Sequence, residues 1–215
     1  MAKKPPKLVP VPTSIWDWPD LATTAKATFL WLWLQAGSRP GVVQFRPIDM
    51  AGGLGRKSPR RYPFWLHPLQ EIGLWTSHSE TTHLVTGAIA DPDQVWAEVS
   101  GDRKPAKRKM NIPEAILSHG DLSAEAKMAW ITIWNEHGCQ AGDVQFHLMD
   151  LASSIGRTQE RGARRWWDFL QEYGFATLQV VDRGIISARM HDPEAAASRQ
   201  GRILLAEAKS KLPRV

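Results

Sequence analysis

Side chains able to make and break bonds are spread thinly along this chain. Its seven histidines form no HExxH pair, and neither a P-loop nor a GxGxxG cradle is present; Gly52-Gly53-Leu54-Gly55 is too short for either. Cys139 lies two residues from His137, a pairing that suits a thiolate and its base, but both fall in a turn. A single cysteine also excludes an intramolecular disulfide and a zinc site built on several thiolates. His147 reads as a surface or phosphate-facing residue rather than a metal ligand. No catalytic residue, metal or cofactor is expected, and the chain reads as a non-enzyme.

A different chemistry is concentrated in two short stretches. Arg157, Thr158, Gln159, Arg161, Arg164 and Arg165 crowd hydrogen-bond donors into one segment, and Arg56, Lys57, Ser58, Arg60 and Arg61 do the same earlier in the chain. A guanidinium pairs with phosphate or with guanine O6 and N7, and a Gln amide with adenine N6 and N7. Arg183, in a turn, and the run Lys107, Arg108, Lys109 add further cations. The net charge of +5 and the isoelectric point near 9.5 point to a polyanionic partner, because phosphate neutralisation releases counterions.

These two stretches occupy matching places in an internal repeat. Shifting the chain by 101 positions lays Asp20-Leu21 on Asp121-Leu122, Ala25-Lys26 on Ala126-Lys127, and Trp33 on Trp134. Gly41, Val43, Gln44 and Phe45 meet Gly142, Val144, Gln145 and Phe146, and Gly55-Arg56 meets Gly156-Arg157. Across the 64 positions from Pro12 to Trp75, 22 are identical without a gap, well beyond coincidence.

Each repeat unit predicts the same elements. In the second, Leu122, Ala126, Trp130, Ile133 and Trp134 recur at helical spacing behind the polar first turn Leu122-Ser123-Ala124-Glu125. Gly138 and Gly142 break the pattern, and Val144-Gln145-Phe146 alternates as a short strand. A short helix follows over 148–155, closed by Gly156. A third helix is expected over 159–173, with Ala163, Trp166 or Trp167, Leu170 and Tyr173 inward and Arg161, Arg164 and Arg165 outward. Two alternating runs, 175–181 and 185–190, flank Asp182-Arg183-Gly184 as a β-hairpin. In the first unit Pro59, Pro63 and Pro68 fall in the third-helix region and predict a shorter or bent helix there.

Helix, strand, helix, turn, helix and hairpin, with Asp150-Leu151-Ala152 through Ile155-Gly156 and then Leu170-Gln171-Glu172-Tyr173-Gly174-Phe175, resemble the winged helix-turn-helix superfamily. Asp49-Met50-Ala51, Leu54-Gly55 and Leu69-Gln70-Glu71-Ile72-Gly73-Leu74 carry the same likeness in the first unit. Within the superfamily the chain is most similar to helix-turn-helix domains of plasmid and phage replication initiators and replisome organisers, whose opening helix carries a pattern like Leu122-Ser123-Ala124-Glu125-Ala126-Lys127. The fold class so implied is mainly α with small β-hairpins (α+β), as two tandem winged helices. The resemblance implies site-specific binding of double-stranded DNA in replication initiation or transcription regulation. A second reading is an interaction adaptor, since tandem winged helices also serve chromosome-organising complexes. Its Trp-rich surfaces and C-terminal helix would then carry the contacts.

The expected organisation is a basic tail over 1–10, a first unit over 11–93, a short helix and basic linker over 94–109, a second unit over 110–192 and a C-terminal helix over 193–215. That last helix is a candidate surface for replication or transcription proteins, or for self-association. With five Arg or Lys and no large apolar residue in 101–109, the linker predicts two units that fold separately. At 43% hydrophobic and 23% charged the chain can build a core. The eleven Trp read mostly as packing residues. The longest apolar run, 29–34, belongs to an amphipathic pattern and is far short of the roughly 20 residues of a membrane span. Basic Met1 to Lys7 has no apolar segment behind it, so a cytoplasmic, nucleoid-associated location is expected.

If the arginine-rich stretches meet phosphates, duplex affinity must fall steeply with salt, with a log–log slope of roughly −0.9 for each phosphate neutralised. Fluorescence anisotropy at increasing chloride is expected to show that decline. An affinity constant from low to moderate salt contradicts it.

Overall fold

The computed structural model describes residues 7–18, 20–81, 83–100, 109–156, 159–182 and 185–198. Among the described residues, helices alternate with the strands of three small antiparallel sheets, an α+β arrangement. The first half runs β1 (Leu8–Pro12), α1 (Ser14–Asp17), α2 (Thr23–Gln35), β2 (Gly41–Phe45), α3 (Pro47–Gly53), a 3-10 turn (Pro59–Arg61), α4 (Tyr62–Glu71), β3 (Trp75–Glu80), β4 (Val85–Ile89) and α5 (Pro92–Ser100). The second half runs β5 (Lys109–Pro113), α6 (Glu114–Ser118), α7 (Ala124–Glu136), β6 (Gly142–His147), α8 (Leu148–Ser154), α9 (Glu160–Glu172), β7 (Ala176–Asp182) and β8 (Ile185–Met190). Residues 193–198 are helical, begun by the Asp192 carboxylate, which accepts from the backbone N–H of Glu194 and Ala195.

Several elements stand 101 positions apart in the two halves: α2 and α7, α3 and α8, and the starts of β2 and β6. Fine details stand at the same offset. Both hairpins carry a bulge, between Ser77 and Ser79 and between Leu178 and Val180. The indole N–H of Trp33 donates to the Pro10 carbonyl at 2.9 Å, and that of Trp134 to the Asn111 carbonyl at 3.3 Å. Each three-stranded sheet places its last strand in the middle, in the orders β2-β4-β3 and β6-β8-β7.

The third sheet joins the halves. β1 pairs antiparallel with β5, from Leu8 opposite Pro113, through Pro10 opposite Asn111, to Pro12 opposite Lys109. Residues 8–10, expected in a tail, are therefore strand, because Val9 and Val11 bury their side chains while their backbone completes a ladder. Lys109, expected in the linker, opens the partner strand, and α5 runs on to Ser100. Of the expected linker and C-terminal helix, 101–108 and 199–215 lie outside the described residues.

Beneath this ladder α2 and α7 pack against each other. α2 is buried continuously from Ala27 to Trp33, and α7 from Ala126 to Ile131. The expectation of amphipathic helices fails here for a simple reason. Each has its own half's core on one side and the opposite central helix on the other, so water reaches only the helix ends and a few half-buried positions such as Lys26, Glu125 and Thr132. The buried residues of both halves form one continuous cluster, with Trp75, Trp130 and Trp167 among its largest fully buried side chains. The third helices behave as their patterns suggest. α9 buries Ala163, Trp166, Trp167 and Leu170, while α4 is shorter, is preceded by the 3-10 turn and contains Pro68.

A core shared by both halves speaks against two autonomous pieces. A fragment beginning at Lys109 loses the partner of β5 and uncovers α7, whose large apolar side chains are each worth about 1.5–3 kcal/mol on burial. Its thermal unfolding is expected to be broad and non-cooperative, with the intact chain melting in one sharp step. A sharp transition in the fragment restores the two-piece picture.

Candidate nucleic-acid interface

On the second half the site rests on α9. The strongly amphipathic sequence of this helix fixes which side chains reach water: Trp166, Trp167 and Leu170 lock it against the core, and Arg161, Arg164 and Arg165 emerge together on the outer face. Gln159, extended at the helix start, is exposed beside them. Arg165 lies with its guanidinium 5.6 Å from the centre of the Phe169 ring, a cation–π contact that steadies the side chain. Asp168 shares the outer face one turn on, so the basic character belongs to the helix's first half.

On the first half the corresponding place is the 3-10 turn and the start of α4. The Ser58 hydroxyl caps the turn by accepting from the backbone N–H of Arg60, and Pro59 suits its first position. Lys57, Arg60 and Arg61 are exposed, with no ion pair recorded among the described residues. Phe64 is exposed beside them, while Trp65, Leu66 and Leu69 hold α4 to the core.

Arg56, expected among the DNA-facing cations, also makes an ion pair across the seam. Its guanidinium crosses to the other half and donates to both carboxylate oxygens of Glu125, at 3.0 and 3.3 Å. Glu125 is nearly buried, with a side chain 12% exposed against 39% for Arg56. The cause lies in Gly55, whose φ of +65° turns the chain directly onto the start of α7; a Cβ there would meet the Leu122 carbonyl oxygen at 2.3 Å. Arg56 is thus a fastening between the halves, with part of its guanidinium still at the surface.

This fastening sits between two clefts that share Arg56, Lys57 and Glu125. One, of about 790 Å³, is lined also by Asp121, Arg165 and Tyr173. The other, of about 690 Å³, is lined also by Ser58, Arg60, Arg61 and Phe64. Arg60 and Arg61 therefore line one cleft and Arg165 of α9 the other, with Lys57 shared by both, while Arg161 and Arg164 line neither. Lys109 is exposed at the edge of β5, and Lys107, Arg108, Arg157, Thr158 and Arg183 lie outside the described residues. Arg46 and His147 serve helix starts. Arg46 pairs with Asp49 at 2.7 Å, and His147 Nδ1 accepts from the Met149 N–H. Burial pushes the Cys139 thiol's pKa up, the reverse of what activates a nucleophile.

Behind these clefts lies a buried lysine that its own helical pattern does not single out. Lys127 is 3% exposed, and its Nζ donates to the carbonyls of Gly53 at 2.6 Å, across the seam, and of Leu117 at 2.8 Å. Desolvation lowers its pKa from 10.5 to about 7, opposed by the charge of Asp121. A neutral amine retains two N–H groups, enough for both carbonyls. His119, near the same carboxylate and set edge-on to Tyr173 and Phe175, is also lowered by burial. The repeat alignment held the one available signal: Lys127 matches Lys26, which donates to the Trp16 carbonyl, the place of Leu117.

No protein-family model matches this chain, and no curated protein is significantly similar to it.

Between its native value of about 7 and its unfolded value near 10.5, Lys127 is neutral when folded and charged when unfolded, so unfolding takes up a proton. Stability contributed by this group therefore rises with pH through that window and is lowest below 7. Chemical denaturation from pH 7 to 8.5 is expected to show the rise in the native protein and to lose it in Lys127→Met. An unchanged slope in the variant places the titration elsewhere.

Proposed function

We propose that this chain is a pair of winged helix-turn-helix units, related by the 101-residue repeat, that binds double-stranded DNA at a specific site. The biological setting proposed is replication initiation or transcription regulation. One observation carries the reading: α9 presents Arg161, Arg164 and Arg165 on a single exposed face with Gln159 at its start, a set able to meet both base edges and phosphates. The matching turn of the first unit presents Arg60 and Arg61 to a cleft that adjoins the one lined by Arg165. Each unit also has the sheet order expected of a winged helix, its first strand beside the returning strand of the hairpin.

The joining sheet supports a two-fold arrangement of the two readers. Pro10 pairs with Asn111, its own repeat mate, and the register is symmetric about that pair, since Leu8 meets Pro113 while Pro12 meets Lys109. Equivalent strands paired in this way are related by a local two-fold axis, and the α2–α7 contact joins equivalent helices around it. A two-fold pair of readers takes half-sites in inverted orientation, as a homodimer does. Because the units differ in sequence, the inverted repeat is imperfect.

Selection from a random duplex pool with the full chain is expected to enrich such an imperfect inverted repeat. On the selected site Arg161→Ala should cost about 1–3 kcal/mol and relax preference at one position of one half, with Arg60→Ala acting in the other half. A pool that enriches no motif overturns specific binding, and enrichment of a direct repeat overturns the two-fold arrangement.

A further inference from the structure

We propose that Phe64 reads thymine in the half-site taken by the first unit, by packing its ring on the thymine 5-methyl group in the major groove. The inference rests on the DNA-binding reading and assigns a specificity residue that the basic side chains do not supply. Phe64 is the most exposed large hydrophobic side chain among the described residues, at 75%, and water is a poor environment for a phenyl ring. It occurs at the start of α4, one turn after Arg60 and Arg61, and lines the same cleft as Lys57, Ser58, Arg60 and Arg61. An apolar ring set among unpaired cations suits a polyanion that also offers an apolar projection. Duplex DNA meets both demands, with phosphates at the rim and the thymine methyl in the major groove. A protein partner matched to this cleft would instead bring carboxylates and an apolar side chain, and it enters the test as a contrary outcome.

The second unit sharpens the point. Phe64 stands opposite Arg165 in the repeat alignment, so the same location on the two third helices is apolar in one and cationic in the other. Pro59 and Pro63 restrict the backbone immediately before Phe64, which limits the conformational freedom lost on binding. The two half-sites should differ at this base pair, with thymine facing the first unit and guanine, the base Arg pairs with best, facing the second.

Removing one methyl group from the DNA tests this directly. The full chain is titrated against its selected duplex, in which single thymines are replaced in turn by deoxyuridine. Loss of one buried methyl is expected to weaken binding by roughly three- to fivefold at one thymine of the first unit's half-site. In Phe64→Ala that thymine and deoxyuridine should bind equally well, while Phe64→Leu retains part of the difference. Phe64 is 75% exposed, so Phe64→Ala should melt as the native chain does. The proposal is overturned if Phe64→Ala keeps the full deoxyuridine penalty, if no thymine of that half-site is sensitive, or if the variant binds every duplex as the native chain does and loses association with a protein instead. Absence of any salt-sensitive duplex binding by the native chain would overturn the DNA reading as well, which separates the two failures.

Discussion

Everything in this molecule is arranged around the contact between two central helices. Most of Thr23–Gln35 and of Ala124–Glu136 is too apolar to be left in water, and each helix covers part of what the other cannot hide. The strands Leu8–Pro12 and Lys109–Pro113 close over them, using backbone hydrogen bonds that neither strand could satisfy alone. A linker rich in charge suggests independent domains, but the apolar content of these helices overrules it. The consequence reaches the surface: the third helices keep a fixed relation because the cores beneath them are continuous.

Polar groups along the seam follow the same constraint. Arg56 and Glu125 form an ion pair that is half in water, and Lys127 is buried against two carbonyls at helix ends, one from each half. Thr23 adds a hydrogen bond of 2.6 Å from its hydroxyl to the Ile155 carbonyl. These contacts contribute direction more than affinity, because a displaced donor would leave a buried carbonyl unsatisfied. They also explain why the seam is not fully symmetric. Glu125 has Thr24 as its repeat mate, so only one side of the local axis has this acidic anchor for an arginine.

The two halves diverge most where they meet solvent. The third helix of the second half is long, proline-free and arginine-lined, whereas in the first half prolines shorten it, Pro68 withholds a backbone N–H, and an aromatic ring replaces a cation. The turns, in contrast, are kept, since Gly37 and Gly138, Gly55 and Gly156, Gly73 and Gly174 all have positive φ, and buried positions stay apolar while exchanging size, as in Leu66 for Trp167 and Trp75 for Ala176. Burial keeps these positions apolar in both halves, each core filling its space with its own mix of large and small side chains, while solvent-facing residues are free to change character.

Much of the architecture was legible in one dimension. Spacing of Trp130, Ile133 and Trp134, the glycines closing each helix and the alternation in 185–190 are local signals that act through neighbouring residues, so they predict elements and their exposed arginines directly. What decided the rest was long-range. Leu8–Pro12 carries two prolines and reads as tail until a partner strand 101 residues away completes its ladder. Arg56 looks like every other arginine in its stretch, and only the turn at Gly55, pressed on the start of the other half's helix, delivers it to Glu125. Lys127 sits in a pattern that leaves a lysine room to face water; the seam between the halves removes the water, and that alone makes its charge expensive.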